Sequence, residues 1–118
     1  MDPVLEATPH LLHADVGALV AQEQFGETHP EVLDAIRNHT LGQRDMSVLS
    51  CVVYLADALE PNRGDTPELR ALRRISTTHL FQAVWAVADA SIRHLLDRPA
   101  LIHPRTLQTR NWAFQQTR

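Results

Sequence analysis

The sequence predicts an all-α protein, a compact bundle of about five to six helices. Three observations lead there. Apolar residues recur at three- and four-residue steps through most of the chain, helix-starting and helix-stopping residues fall at the ends of those segments, and no stretch alternates apolar and polar residues as a half-buried strand would. The sequence holds no internal repeat or low-complexity tract, so residues 1–118 read as a single helical domain.

The segment LLHADVGALVAQEQFG spaces Leu12, Val16, Leu19 and Val20 as one stripe and ends on Phe25-Gly26, which predicts a first helix over about 11–24. Thr28 as an N-cap, with Pro30 two residues on, starts a short helix over about 30–38 whose stripe is Val32, Leu33 and Ile36. Thr40 to Asp45 is a turn with Gly42 as its flexible point. SVLSCVVYLADAL then predicts a helix over about 46–59, apolar nearly all round and so the most deeply buried element. After the polar loop EPNRGDT, Pro67 opens a helix with Leu69, Leu72 and Ile75 inward and Arg70, Arg73 and Arg74 on a solvated face. Thr77 or Thr78 caps a long helix to about Asp97, with Leu80, Val84, Val87, Ala88, Leu95 and Leu96 as its stripe and Pro99 beyond its end. Beyond the His103-Pro104 turn a last helix carries Leu107, Trp112 and Phe114.

Composition narrows the partners. A net charge of -3 with pI near 6.1 leaves no global basic surface for nucleic acid or an anionic membrane, and no recognition helix of basic and amide residues is visible. Neither partner is expected. Cys51, the only cysteine, excludes an internal disulfide or a thiolate metal cluster and suits a reducing cytoplasm. Residues 1–10 carry two acids and no Lys or Arg, unlike a secretory signal, and the longest apolar run falls short of the ~18 to 20 residues needed to cross a bilayer. A cytoplasmic protein is the expectation.

Few residues could carry chemistry. Asp57 sits among Val53, Tyr54, Ala56 and Ala58, where an ionised carboxylate must be hydrogen-bonded, protonated or bound to a cation. Arg63, across the EPNR turn, is one candidate partner, and solvent at the helix end is another. His13 and His39 stand at opposite ends of the first two helices, and imidazole both ligates transition metals and donates to phosphate. Either histidine alone is as readily a half-buried or helix-end residue. Arg44 and Arg63 could hold phosphate oxygens through a planar fork or be solvated loop arginines. No HExxH, Walker loop, GxSxG or paired-cysteine zinc pattern occurs.

Three segments, LLHADVGALVAQEQFG, EVLDAIRNHTLG and SVLSCVVYLADALEPNR, together with the tail LLDRPALIHPRTLQTRNW, resemble the bacterial HD-superfamily phosphohydrolases of the YqeK type over essentially the whole chain. Such enzymes cut diadenosine tetraphosphate symmetrically into two ADP. The resemblance implies the C-terminal part of an HD-domain fold and a divalent cation, iron first and manganese or zinc otherwise. It also implies that Asp57, His13 and His39 are metal ligands and that His13, His39, Thr40, Arg44 and Arg63 contact a dinucleoside polyphosphate. Hydrolysis would proceed by attack of a bound water, without a covalent intermediate.

The chain departs from that pattern in one respect. The adjacent His-Asp pair that names the superfamily is absent, because none of the seven histidines precedes an aspartate. The expectation is therefore a C-terminal portion of such a hydrolase, inactive or weakly active by itself. Two copies are expected to associate through an apolar face that a larger protein would cover. The alternative is a non-catalytic helical module that binds a nucleotide or a partner.

Overall fold

The computed structural model describes residues 13–118. Among them the chain forms α1 (His13–Gln24), α2 (Pro30–Asn38), α3 (Val48–Leu59), α4 (Pro67–Ser76), α5 (Leu80–Leu96) and α6 (Pro104–Gln116), with a short 3-10 turn, Pro61–Arg63, after α3 and no strand. The protein is all-α, as expected. Leu12 and the expected start of the first helix at residue 11 lie outside the described residues.

Caps fix the element ends. Ser47 Oγ accepts from Ser50 N at 3.1 Å to start α3, and Thr66 Oγ1 accepts from Leu69 N at 3.1 Å to start α4 before Pro67. Two caps differ from expectation. His29, rather than Thr28, caps α2, its Nδ1 accepting from Glu31 N at 3.3 Å. A side-chain nitrogen two residues ahead of a free helical N–H does the work of a cap oxygen. His79 precedes α5 without a side-chain cap, because Thr77 and Thr78 are occupied in closing α4, donating to Arg74 O and Ile75 O.

The helices pack in a chain of neighbours: α1 on α2, α2 on α3, then α3 and α4 on α5, with α5 and α6 sharing the most extensive interface. The core joins Met46, Cys51, Tyr54 and Leu55 to Ala83, Val84 and Val87 of α5 and to Trp112 and Ala113 of α6. Phe81 meets Trp112 edge to face at 5.7 Å between centroids. On the rim of that seam Arg110 Nε donates to Asp89 Oδ1 at 2.8 Å while its guanidinium lies over Trp85 and Phe114. Burial pushes the Cys51 thiol up to about 11 and lifts Tyr54 above the usual phenol range, with Cys51 one turn away adding to the latter.

Four packing expectations are corrected. In α1 the buried residues are Ala14 and Ala18, whereas Val16 and Leu19 are 54% and 52% exposed. The small face wins because α1 lies close on α2, where a Cβ at Gly17 would be 3.4 Å from Ile36 Cγ2. In α3 only one face is buried, that of Ser50, Cys51, Tyr54 and Leu55, and Val48, Leu49 and Val52 are exposed because no described element covers them. Arg73 does not point to solvent. It folds back to donate to Leu59 O, Glu60 O and Gly64 O at 3.0, 3.2 and 2.8 Å, tying α4 to the loop after α3. Leu96, expected on the apolar stripe of α5, is exposed.

Candidate functional site

Packing of α1 on α2 sets the first residue of α1 beside the last turn of α2. His13 Nε2 lies 3.0 Å from His39 Nε2, and the two rings cross at 69° with centroids 4.9 Å apart. Thr40 Oγ1 is 3.0 Å from the same His13 nitrogen. The other ring nitrogen of His39, Nδ1, faces Ile36 O at 2.5 Å. A carbonyl only accepts, so Nδ1 carries the hydrogen and Nε2 of a neutral His39 is bare. The hydrogen between the rings then belongs to His13 Nε2, which donates toward His39 with Thr40 Oγ1 as a second neighbour. His13 is exposed and His39 and Thr40 are half-buried, so the cluster opens to solvent. An incoming acceptor would have to take the His13 N–H from His39 Nε2, with the Thr40 hydroxyl beside it as a second donor.

Asp57 and Arg63 form a second pair. The 3-10 turn that starts at Pro61 swings Arg63 back along α3, where its Nη2 reaches Asp57 Oδ1 at 3.4 Å and its Nε donates to Asp57 O at 3.2 Å. Glu60 Oε1 lies 3.7 Å from the same Nε. The Asp57 side chain is 38% exposed. Its ionised form therefore has water and a guanidinium for company, and the premise of a carboxylate enclosed by apolar side chains is corrected.

Arg44 lies in a third place. It lines a polar recess of about 360 Å³ with Gln43, Asp45, Arg105 and Gln108, and its guanidinium pairs with no carboxylate among the described residues.

A transition-metal ion generally takes four or more ligands. Among the described residues no group of three His, Cys, Asp or Glu side chains gathers closely enough to hold one. His13 and His39 are two nearby donors, and Asp57 is not brought to them. These residues alone do not fit a complete metal site.

The turn that presents His39 and Thr40 depends on Gly42, expected as its flexible point, and on Asn38, Arg105 and Thr109, which sequence reasoning passed over. Asn38 is buried directly before His39, Gly42 has φ +70°, and Arg105 and Thr109 of α6 bond to the turn. Their partners are more than sixty residues distant, so no local spacing marks them. The one sequence signal is His103-Pro104-Arg105, a cap and a first-turn proline that fix the base of an arginine.

A family profile described as HD domain matches residues 2–62, more than half of the chain and including His13, His39, Thr40 and Asp57. The chain is 37% identical over 109 residues to a symmetrical bis(5'-nucleosyl)-tetraphosphatase of Bacillus subtilis, and 40% identical over 101 residues to the protein of that name in Halalkalibacterium halodurans. These alignments cover 92% and 86% of this chain but 58% and 54% of the relatives, so the chain spans little more than half their length. Among solved structures, a predicted HD superfamily hydrolase involved in NAD metabolism from Clostridium acetobutylicum superposes with a TM-score of 0.92 at 28% identity, over 98% of this chain and 61% of its own. An all-α fold whose first three helices carry the matched segment, and which superposes on an HD hydrolase along nearly its whole length, assigns this chain to the HD domain family.

Proposed function

We propose that the chain, acting as one helical domain, supplies part of the site of an HD-type hydrolase of dinucleoside polyphosphates such as diadenosine tetraphosphate, and that by itself it binds nucleotide phosphates with little turnover. The observation that carries this reading is the His13, His39 and Thr40 cluster, with Nε2 to Nε2 and Oγ1 to Nε2 distances of 3.0 Å, inside the segment that the family profile matches. A phosphate oxygen accepts hydrogen bonds from imidazole N–H and threonine O–H groups, and a protonated imidazole adds charge to that bond. Arg44 supports the reading as a cation that no carboxylate engages among the described residues, and Arg63 as one that Asp57 and Glu60 hold near the end of α3. Their proposed part is to neutralise phosphate charge.

The resemblance implies a divalent cation, iron or else manganese or zinc, which would polarise a phosphoryl oxygen and activate water. His13, His39 and Asp57 are the donors proposed for it. The described residues do not complete its coordination, so slow turnover is the expected state of the isolated chain. The same count favours the second reading, a nucleotide-binding module without catalysis.

Isothermal titration with diadenosine tetraphosphate and with ADP, alongside ADP release in the presence of iron or manganese, tests the proposal. Binding that weakens about ten-fold or more in His13→Ala and His39→Ala, as expected for loss of a charge-assisted bond, supports it. No binding, or binding indifferent to both substitutions, contradicts it. Fast ADP release abolished by Asp57→Ala would show that the chain is a complete catalyst and overturn the low-turnover part.

The exposed apolar residues of α3 suit a second copy of the chain. Val48, Val52 and Ala56 stand four residues apart along one face, so two such stripes can pair about a two-fold axis. Sedimentation of the wild-type chain and of Val52→Lys is the check. A dimer that the substitution dissociates is expected, and a wild-type monomer at high concentration rules it out.

A further inference from the structure

The turn that carries His39 and Thr40 is gripped from outside by the last helix. Arg105, the second residue of α6, donates from Nη2 to Gly42 O at 2.8 Å and to Asn38 Oδ1 at 3.2 Å, and from Nε to Gly42 O at 3.2 Å. Asn38 and Gly42 are the two ends of the arc 38–42, which is itself closed by Gly42 N donating to Asn38 O at 2.9 Å. One guanidinium thus spans the arc, and both site residues lie between its anchor points.

The base of Arg105 is fixed. Pro104 begins α6, and His103 Nδ1 accepts from Arg105 N at 3.1 Å. One turn along, Thr109 Oγ1 lies 3.0 Å from Leu41 O and 2.7 Å from Arg105 O, sharing its single hydrogen between the arc and its own helix. The acceptors that Arg105 meets are a carbonyl and an amide oxygen rather than a carboxylate. Its planar fork therefore serves geometry more than charge neutralisation, which distinguishes it from Arg44 in the same recess.

We propose that Arg105 is a positioning residue for the phosphate-contacting cluster: by joining Asn38 to Gly42 it holds His39 and Thr40 at contact distance from His13 Nε2. The proposal rests on the reading of that cluster as the phosphate site, and it places the control of site geometry on α6, sequence separations of 63 and 67 residues away. Lysine cannot replace this function in full, because one ammonium can at most stand in for Nη2 and lacks the coplanar second donor, Nε, that fixes the fork on Gly42 O.

The test compares Arg105→Met, Arg105→Lys and Asn38→Asp with wild type in three measurements: nitrogen-15 spectra of the histidine side chains, ADP affinity, and melting temperature. In Arg105→Met the His13 and His39 ring nitrogens are expected to shift toward the values of a free imidazole, with ADP bound about ten-fold more weakly, the scale typical of supporting partners that orient a site residue. Arg105→Lys should fall between. Asn38→Asp keeps an acceptor for the guanidinium and should retain the wild-type histidine spectrum. A lower melting temperature with histidine spectra and ADP affinity unchanged would make Arg105 a structural residue only and overturn the proposal. Should Arg105→Met fail to fold, Arg105→Lys decides by the same spectra. If wild-type chain binds no ADP, the phosphate-site reading fails, while the histidine spectra still decide whether Arg105 positions the cluster.

Discussion

Replacing Gly42 by alanine should destabilise the protein more than any other single-methyl addition at a turn glycine. Two separate costs meet there. At φ +70° a side chain is in the left-handed region, which costs an ordinary residue about 1–2 kcal/mol. The new Cβ would also lie 2.5 Å from Thr109 Cγ2, 2.7 Å from its Oγ1 and 3.1 Å from its Cβ, and Thr109 is fully buried. Forcing a methyl into so close-packed a place costs about 1–3 kcal/mol. The sum is about 2–5 kcal/mol, which for a chain of this size lowers the melting temperature by about 8–20 °C. Gly26→Ala is the internal control. Its φ is +71°, but nothing lies within 4 Å of a Cβ there, so only the conformational cost of about 1–2 kcal/mol applies. Thr109→Ala in the Gly42→Ala background should recover part of the loss, since it removes the atoms struck, although the bond to Leu41 O goes with them. Chemical denaturation of these three variants, with Thr109→Ala alone to close the cycle, measures all of this. Equal losses at Gly42 and Gly26, with no coupling between positions 42 and 109, would refute the contact between the arc and α6.

Further predictions follow from other contacts. Arg73→Met removes the donor to three carbonyls and should cost about 1–3 kcal/mol in urea unfolding, whereas Arg63→Ala, which breaks a half-exposed pair, should cost about 0–1 kcal/mol; equal losses would contradict this contrast. At pH 8 the thiol of Cys51, pushed from an ordinary value near 9 to about 11, should react with a disulfide reagent at least about a hundred-fold more slowly than a free thiol, and native labelling at the free rate would show that it is not enclosed. The same shift sets a pH dependence: the unfolded chain gives up this proton first, so stability is retained below about pH 9 and declines as pH rises toward about 11, a slope that Cys51→Ala should reduce. If residues 1–118 are one domain, melts followed by far-ultraviolet circular dichroism and by fluorescence of Trp85 and Trp112, both on the α5–α6 seam, should coincide; an earlier transition seen by dichroism alone would separate α1 and α2 from the rest.

The helices were legible because their ends carry chemistry that acts locally. Ser47, Thr66-Pro67 and His103-Pro104 each announce a start within three residues. What the sequence could not convey is which face of each helix finds a neighbour. Val16 and Leu19 look like a core stripe, yet Ala14 and Ala18 are the buried residues, since a close helix contact favours small side chains. Likewise Asp57 reads as a stranded acid only if α3 is enclosed on all sides, and an open face with Arg63 beside it removes that premise. His13, His39 and Thr40 were named from their residue types and the resemblance, and the structure brings those three together. Arg105 and Asn38 could not be found that way, because a guanidinium that bonds to a distant carbonyl leaves no spacing to read.

The most direct test is a crystal structure of the chain grown with diadenosine tetraphosphate. The account predicts a phosphate oxygen within hydrogen-bond reach of Thr40 Oγ1 and of His13 or His39 Nε2, with the Asn38–Gly42 arc still held by Arg105. A nucleotide seated elsewhere, for instance in the apolar groove that Val52, Leu59 and Leu80 line, with the two imidazoles still in mutual contact, would contradict it.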